Sequence, residues 1–230
     1  MKTVITGSSR GLGLEIARTF VKAGMEVAIT SRSREGLEKA MSSLGPGSDD
    51  FVMGSTVDFG DVNSVISYAE WVRKEMGSIQ VLVNNVGIYM EDGPFSYREE
   101  DLAKMMEVNV LSAMRMCSAF RDDLVQSKGY IVNIVSIAAK KVRPDAVTYS
   151  MSKAALSAYT AALRESLRQR GVKVTAIYPD AINTSSWDGV DVDRSRLIQP
   201  QDISTSILNL VQMNVNTVVG EIVIETNSDF

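Results

Sequence analysis

Short runs of β-branched residues alternate with longer helical patterns along the chain, and this alternation constrains the fold more than any other feature. Such an order is typical of a parallel sheet whose strands are joined by crossover helices. Right-handed crossovers on both faces produce a doubly wound sheet, with its ligand crevice at the carboxyl ends of the strands. The predicted strands cover residues 3–6, 26–30, 51–55, 80–84, 130–136, 172–178 and 221–224.

The stretches between these strands carry apolar residues at three- and four-residue spacings, which indicate helices that bury one stripe against the sheet. Two such stripes are Leu12, Ile16 and Phe20, and Leu156, Leu163 and Leu167. A chain of 230 residues supports one well-buried domain rather than two. We therefore predict a single α/β domain over residues 1–230, built as a doubly wound, seven-stranded parallel sheet with helices on both faces.

Composition narrows the classes of partner and the compartment. A formal net charge of −4 provides no electrostatic reason to expect nucleic acid or an anionic membrane as a partner. The N-terminus leads directly into the first strand, which leaves no room for a signal peptide. No apolar run approaches the roughly 18 residues that a membrane helix needs. The single cysteine fits a reducing compartment. We expect a cytoplasmic protein. The absence of histidine excludes a histidine base or metal ligand, and we assign no metal site.

The first predicted strand runs into a glycine-rich turn, Thr-Gly-Ser-Ser-Arg-Gly-Leu-Gly at residues 6–13, and an amphipathic helix follows at once. Glycines let the backbone turn tightly and approach a pyrophosphate, which a helix N-terminus then stabilises. Isolated matches also occur in turns that bind nothing, but a position between the first strand and the first helix is the context of a Rossmann-type dinucleotide site. The predicted cofactor contacts here are Gly7, Ser9, Arg10, Gly11, Leu12 and Gly13.

The residues after the second strand bear on the choice between NAD and NADP. An acidic residue there would hydrogen-bond the adenosine ribose of NAD, whereas arginine suits the extra phosphate of NADP. This chain reads Thr-Ser-Arg-Ser-Arg over residues 30–34, with no acid. Arg32 and, from the glycine turn, Arg10 offer guanidinium forks that match phosphate oxygens. Both also fit solvated surface arginines, but the pattern favours NADP(H) over NAD(H).

Tyr149 and Lys153 stand four residues apart at the start of a predicted helix, so both lie on one face. A phenol with a pKa of about 10 is a poor acid or base at neutral pH. A nearby ammonium and the cationic nicotinamide of an oxidised cofactor favour phenolate, which makes general acid–base chemistry feasible. Ser136, which ends the fifth predicted strand, emerges at the same edge of the sheet, where its hydroxyl could bond a substrate oxygen. Taken alone, the spacing also fits a surface tyrosine and lysine.

Taken together, these motifs resemble the short-chain dehydrogenase/reductase family over essentially the whole chain. The family's Thr-Gly-x-x-x-Gly-x-Gly turn matches residues 6–13, and its Asn-Asn-Ala-Gly motif is similar to residues 84–87. The resemblance implies a catalytic tetrad of Asn109, Ser136, Tyr149 and Lys153. In that scheme the nicotinamide delivers hydride to a carbonyl carbon, Tyr149 protonates the oxygen and Ser136 stabilises it. Lys153 holds the nicotinamide ribose and lowers the tyrosine pKa, while Asn109 keeps a water in the proton relay.

The resemblance also implies cofactor contacts outside the glycine turn, with Asp58 beside the adenine and Ile182 and Thr184 at the nicotinamide amide. The full set implied is Asp58, Asn85, Gly87, Tyr149, Lys153, Pro179, Ile182 and Thr184. Three features depart from the family pattern: Val86 replaces the usual alanine, Asp180 replaces the usual glycine after Pro179, and the ending at residues 224–230 lacks the paired glycines common in relatives of the fatty-acid-synthesis ketoreductases. We therefore do not assign that substrate. The aspartate brings a carboxylate near the nicotinamide end.

These residues predict an NADP(H)-dependent oxidoreductase that acts on a small carbonyl or alcohol substrate, as a ketone or aldehyde reductase. A dinucleotide-binding sensor without turnover is the alternative, and the intact tetrad favours catalysis. We predict a substrate loop at 185–200, which follows a strand end and carries Trp187. Tyr89, Met90 and Tyr178 also follow strand ends, and by position they are candidates to line an apolar pocket.

Two surface features remain open. Lys140, Lys141 and Arg143 lie between Ser136 and Tyr149 and fit either attraction of an anionic substrate or, as we favour, a solvated basic loop. Small residues on the Tyr149 helix would let another helix approach closely, either within the chain or from a second subunit. Because members of the family often pair through this helix, we predict a homodimer or homotetramer. The small residues are Ala154, Ala155, Ala158, Ala161 and Ala162.

Overall fold

The computed structural model describes residues 1–45 and 51–227, and seven parallel strands form one sheet in them. The strands are β1 (Lys2–Ile5), β2 (Glu26–Ser31), β3 (Val52–Thr56), β4 (Val81–Asn84), β5 (Tyr130–Ile134), β6 (Lys173–Pro179) and β7 (Glu221–Ile224). The helices are α1 (Gly11–Lys22), α2 (Arg34–Ser43), α3 (Val62–Met76), α4 (Glu99–Met106), α5 (Ser112–Ala119), α6 (Arg121–Ser127), α7 (Val147–Arg168) and α8 (Pro200–Gln212).

The strand order is β3-β2-β1-β4-β5-β6-β7, so the chain builds the sheet outward in both directions from β1. Ile5 pairs in register with Ile29 of β2 and with Val83 of β4. The loops that follow β1 and β4 therefore diverge at this point, which opens a crevice at the carboxyl edge. The predicted doubly wound, seven-stranded sheet is confirmed.

Two hydrophobic cores cover the two faces of the sheet. One includes Ile16 of α1 and Ile207 of α8, and the other includes Val72 of α3 and Met116 of α5. The stripe Leu12, Ile16 and Phe20 is buried in the first core. In the second stripe, Leu167 is buried and Leu163 half-buried in the second core, while Leu156 is buried in a smaller third cluster under α7. Burial of apolar surface on both faces, at about 25 cal/mol per Å², stabilises the packing of the helices on the sheet.

Two local features differ from a regular alternation of strands and helices. β5 ends at Ile134, so Ser136 lies just beyond the strand and caps a short 3₁₀ turn, Ile137–Ala139. A π-helical segment, Glu107–Leu111, separates α4 from α5 and contains Asn109. Single π-helical turns within helices occur frequently at functional sites. Within the described ranges, no helix is both long and apolar enough to span a membrane.

Candidate active site

The glycine-rich turn after β1 depends on backbone conformations and spaces that only glycine allows. Gly7 and Gly11 have φ angles of 63° and 55°, in the left-handed region that L side chains rarely adopt. A Cβ on Gly13 would lie 2.4 Å from the Gly7 carbonyl oxygen and 2.6 Å from Asn85 Nδ2. The turn is therefore packed directly against the start of α1 and the loop after β4.

Partly buried hydrogen bonds hold this turn from the β4 side. The Thr6 hydroxyl oxygen accepts hydrogen bonds from the backbone N–H groups of Asn85 at 2.9 Å and Val86 at 3.1 Å. In return, Asn85 Nδ2 donates to the carbonyl oxygens of Thr6 and Gly7, at 3.0 Å each. The Asn85 side chain thus stabilises the turn through two hydrogen bonds.

A second set of hydrogen bonds holds the turn from the β2 side. Gly7 N–H donates to Thr30 Oγ1 at 2.8 Å, and Thr30 N–H donates to Ser8 Oγ at 2.8 Å. The Ser8 hydroxyl in turn donates to the Ile5 carbonyl oxygen at 2.7 Å. Ser8 and Thr30 were not predicted as supports of the turn, and their signal in the sequence is slight: one hydroxyl residue within the turn and one near the end of β2.

Charged side chains border the turn at the β2 and β3 ends. Arg10 and Arg32 are exposed, and neither makes an ion pair within residues 1–45 and 51–227. Arg34, by contrast, pairs with Glu38 at 2.9 Å. Asp58, also exposed, follows β3 and accepts a hydrogen bond from the Gly60 N–H at 2.9 Å.

The segment after β6 reaches back over the glycine turn. A Cβ built on Gly11 would lie 3.4 Å from two carbon atoms of Thr184. Pro179 ends β6 and is buried, while Ile182 is half-buried and forms an isolated bridge with Ile198. The predicted contacts from this segment therefore border the same crevice as the turn.

Asp180 fits its position without backbone strain. Its φ is not among the positive values found in the described chain, and its N–H donates to the Ile224 carbonyl oxygen at 2.9 Å. Its carboxylate accepts from the Ala181 N–H at 2.9 Å and from the Thr226 hydroxyl at 3.5 Å. The carboxylate thus accepts hydrogen bonds from its own segment and from Thr226, two residues after β7.

Tyr149, the third residue of α7, lies half-buried with Ser136 and Tyr89 as neighbours. Burial raises the Tyr149 pKa, and a hydrogen-bonding interaction with the Ser136 side chain lowers it in part. The family resemblance implies that Lys153 lowers this pKa, but in the protein chain itself burial dominates and the ammonium lies 5.8 Å from the phenol ring centre. The phenol is therefore protonated at neutral pH.

Lys153 is buried one helical turn further along α7, with only 4% of its surface exposed. Its ammonium donates to the Ile134 carbonyl oxygen at 3.1 Å. Burial lowers the Lys153 pKa from 10.5 to about 8. A Cβ on Gly87 would lie 3.4 Å from this ammonium and 3.3 Å from Asn109 Oδ1, so Gly87 leaves space beside both groups.

The Asn109 amide joins three parts of the site. Its Oδ1 accepts from the Ile88 N–H at 2.7 Å, and its Nδ2 donates to the Ile88 carbonyl oxygen and to Ser152 Oγ, at 3.0 Å each. The Ser152 hydroxyl donates to the Tyr149 carbonyl oxygen at 2.8 Å. Because both Nδ2 hydrogens are used, the amide positions the neighbouring segments, and the water-holding role implied for Asn109 stays a prediction.

The aromatic residues proposed to line a substrate pocket lie in different environments. The exposed Tyr89 ring meets the Tyr149 ring edge-on, with centroids 5.1 Å apart, and Met90 is half-buried. Trp187 is half-buried, and its indole N–H donates to the Ile182 carbonyl oxygen at 3.0 Å. The suggestion for Tyr178 is wrong: it is only 1% exposed and faces the core under α7, because alternate residues of β6 point to opposite faces.

The basic residues between Ser136 and Tyr149 are paired with carboxylates. Lys140 meets Glu221 at 2.7 Å, and Arg143 meets Asp145 at 2.6 Å. Lys141 pairs with Glu225. This arrangement fits the solvated-loop interpretation better than a free anion-attracting patch.

The residues present fit a dinucleotide cofactor. The glycine turn leads directly into the N-terminus of α1, whose free N–H groups suit a pyrophosphate. Arg10 and Arg32, which make no ion pair in the described residues, are exposed in and near this turn. At the other end, the buried Lys153 ammonium has three hydrogens and one hydrogen-bond acceptor within the described part of the chain. These features lie along one edge of the sheet, from β2 to β5.

Comparisons with known proteins agree with this geometry. The model of the family described as short chain dehydrogenase matches residues 2–194. An uncharacterized oxidoreductase of Staphylococcus saprophyticus is 28% identical over 222 residues, which cover 96% of this chain and 95% of that protein.

Solved structures superpose over nearly the whole chain. An alcohol dehydrogenase from the archaeon Thermococcus sibiricus, complexed with 5-hydroxy-NADP, has a TM-score of 0.91 and 25% identity over 98% of this chain and 96% of its own. A metagenomic short-chain oxidoreductase in complex with NADP has a TM-score of 0.86 and 26% identity, over 100% of this chain and 98% of its own. The fold, the site geometry and the family match together identify this chain as an oxidoreductase of the short-chain dehydrogenase family.

Proposed function

We propose that the protein is an NADP(H)-dependent reductase of small ketones or aldehydes, or catalyses the reverse oxidation of the alcohols. One observation carries the proposal: Tyr149, Ser136, Lys153 and Asn109 meet at the same sheet edge as the glycine-rich turn. A phenol, a hydroxyl and an ammonium at a dinucleotide cradle are the groups that protonation of a carbonyl oxygen requires.

The bound nicotinamide would supply hydride to the carbonyl carbon of the substrate. Tyr149, which is protonated at neutral pH, would donate its proton to the carbonyl oxygen. The nearby Lys153 ammonium and the cationic oxidised nicotinamide would favour loss of this proton, against the effect of burial. Ser136 would hydrogen-bond the same oxygen as negative charge develops. Lys153 would bind the ribose hydroxyls with its remaining ammonium hydrogens, and Asn109 would hold the loop after β4 against α7.

The preference for NADP(H) rests on the two arginines beside the turn. A guanidinium that has no carboxylate partner remains available to a phosphate, whereas Arg34 is already paired with Glu38. The solved relatives described above are complexes with NADP or a derivative of it, which supports the same choice.

The decisive experiment is a turnover screen of ketones, aldehydes and quinones with NADPH and with NADH, paired with a cofactor-binding measurement. We expect turnover with NADPH and a lower kcat/KM with NADH. Binding of NADPH without turnover of any substrate would favour the alternative of a dinucleotide sensor. A preference for NADH would contradict the roles of Arg10 and Arg32.

We also propose a substrate-covering role for the segment 185–200 and association into homodimers or homotetramers. The first follows from Trp187 beside the β6 end, so Trp187→Ala should alter substrate preference while cofactor binding is retained. The second follows from exposed small residues along α7, including Ala154, Ala158 and Ala161. Sedimentation equilibrium should show a dimer or tetramer, and a monomer at all concentrations would contradict that proposal.

A further inference from the structure

The helix that carries Tyr149 has no cap from its own chain segment. Its N-cap residue, Ala146, has no side chain that can accept a hydrogen bond from the first turn. Asp92, which lies in the loop after β4, supplies the missing acceptors. Its carboxylate accepts from the Val147 N–H at 2.6 Å, from the Thr148 N–H at 3.2 Å and from the Thr148 hydroxyl.

The loop that carries Asp92 is fixed at both ends. At one end, Asn109 bonds both the N–H and the carbonyl oxygen of Ile88. At the other end, the Asp92 N–H donates to the Asp145 carbonyl oxygen at 3.1 Å, and Asp92 forms a parallel bridge with Ala146. Between these two ends, Tyr89 contacts the ring of Tyr149.

We propose that Asp92 is a positioning residue for Tyr149. It caps α7 from a distant loop and thereby holds the phenol within hydrogen-bonding distance of the Ser136 side chain. The inference rests on the proposed function. The first N–H groups of a helix have no partner within the helix, and a negative charge there is also stabilised by the helix dipole. Tyr149 is the third residue of α7, so fraying of this first turn would displace its side chain directly.

Three substitutions test the proposal, with Asp61 as the matched control. Asp61 is also a capping aspartate, because its carboxylate accepts from the Asn63 N–H at 3.0 Å at the start of α3. Loss of a cap destabilises the start of a helix, so Asp92→Ala and Asp61→Ala should both lower the melting temperature by about a few degrees. At saturating cofactor, we expect kcat to fall at least tenfold in Asp92→Ala alone, with the Kd for NADPH unchanged within twofold.

Asp92→Asn should recover most of the activity, to within about threefold of wild type, because its amide oxygen still accepts hydrogen bonds from the helix. Asp92→Ser, which keeps one short acceptor, provides a second variant in case the alanine variant does not fold, and should lose kcat several-fold. Wild-type kcat in a folded Asp92→Ala or Asp92→Ser variant would overturn the proposal. An equal loss of kcat in Asp61→Ala would overturn it as well.

Amide hydrogen exchange over residues 147–149 separates this inference from the proposed function. We expect faster exchange there in Asp92→Ala and unchanged exchange in Asp61→Ala. An inactive wild-type protein with this exchange pattern would contradict the proposed function while confirming the cap. Unchanged exchange in Asp92→Ala would contradict the cap even if the wild-type enzyme is active.

Discussion

The glycine-rich turn and the start of α7 lie on the same edge of the sheet, but they hold their positive charges in opposite ways. At the turn, Arg10 and Arg32 are exposed and make no ion pair in the part of the chain that the structure describes. At α7, Lys153 is buried and has one hydrogen-bond acceptor among the described residues, while Lys140 and Arg143 nearby are paired with carboxylates.

This difference matches the two tasks that we propose for the positive charges, which are recognition of a phosphate at the turn and proton transfer at α7. A phosphate is recognised by guanidinium groups that remain accessible, and their contribution falls as salt screens them. The groups assigned to proton transfer are instead buried, and burial shifts their pKa values, raising that of Tyr149 and lowering that of Lys153. Variants of the turn should therefore change cofactor affinity and selectivity, whereas variants of α7 should change turnover and pH dependence.

Replacement of Tyr149 by phenylalanine should have the largest effect. The variant keeps the ring but loses the proton that we assign to the carbonyl oxygen, so kcat should fall by about 10²- to 10⁴-fold. Cofactor binding, measured by the quenching or enhancement of NADPH fluorescence, should stay within a few-fold of wild type. Retention of more than a tenth of wild-type kcat would remove Tyr149 from the mechanism.

Lys153→Met should reveal the free-energy cost of burying an ammonium. The pKa is about 8 in the folded protein and 10.5 in the unfolded chain, so the unfolded chain binds more protons between these pH values. The contribution of Lys153 to the free energy of unfolding is therefore lowest below pH 8 and rises toward pH 10.5. The variant should be more stable than wild type below pH 8, by on the order of 3 kcal/mol before losses from packing.

The difference between the two proteins should shrink as the pH rises above 8, and urea unfolding at pH 7, 8, 9 and 10 measures it directly. A difference in the free energy of unfolding that does not change with pH would mean that burial does not lower the Lys153 pKa. The contrast with the exposed arginines of the turn would then lose its basis.

Arg32→Ala should lower kcat/KM for NADPH about ten- to hundredfold, because a hydrogen bond to a charged group contributes roughly 1.5–3 kcal/mol. The KM for NADH should change by less than twofold, since NADH lacks the extra phosphate. Arg34→Ala is the matched control: its guanidinium lies two residues away but is paired with Glu38. Equal effects of the two substitutions on NADPH would mean that Arg32 acts only through general surface charge.

Lys141→Ala should have the smallest effect, less than about twofold in kcat/KM for a neutral carbonyl substrate. The exposed Lys141 is already paired with Glu225, and solvent screening leaves exposed ion pairs with little effect on free energy. Steady-state kinetics at low and at moderate salt would measure this. A large, salt-dependent loss with an anionic substrate would instead show that the basic loop attracts substrate.

Much of the fold was predictable because it depends on local patterns. Each predicted strand lies within two residues of the observed one, since runs of β-branched residues and flanking turn residues mark strands without reference to partners. Extending the fifth strand to Ser136 was wrong, because that residue caps a 3₁₀ turn instead. The tetrad was predictable in order from its motifs, but its hydrogen bonds were not.

The sequence by itself determined the order of strands and helices, the glycine turn and the identity of the chemical groups, because these depend on periodicity and on short motifs. Only the tertiary structure decided that Asp92 caps a helix that begins 55 residues further along the chain, that Asn109 engages Ile88 and Ser152, and that Tyr178 is buried. It also decided which cations are buried, paired or exposed. The physical reason is that burial and hydrogen-bond partners come from segments distant in sequence, which meet only when the crossover helices pack on the sheet.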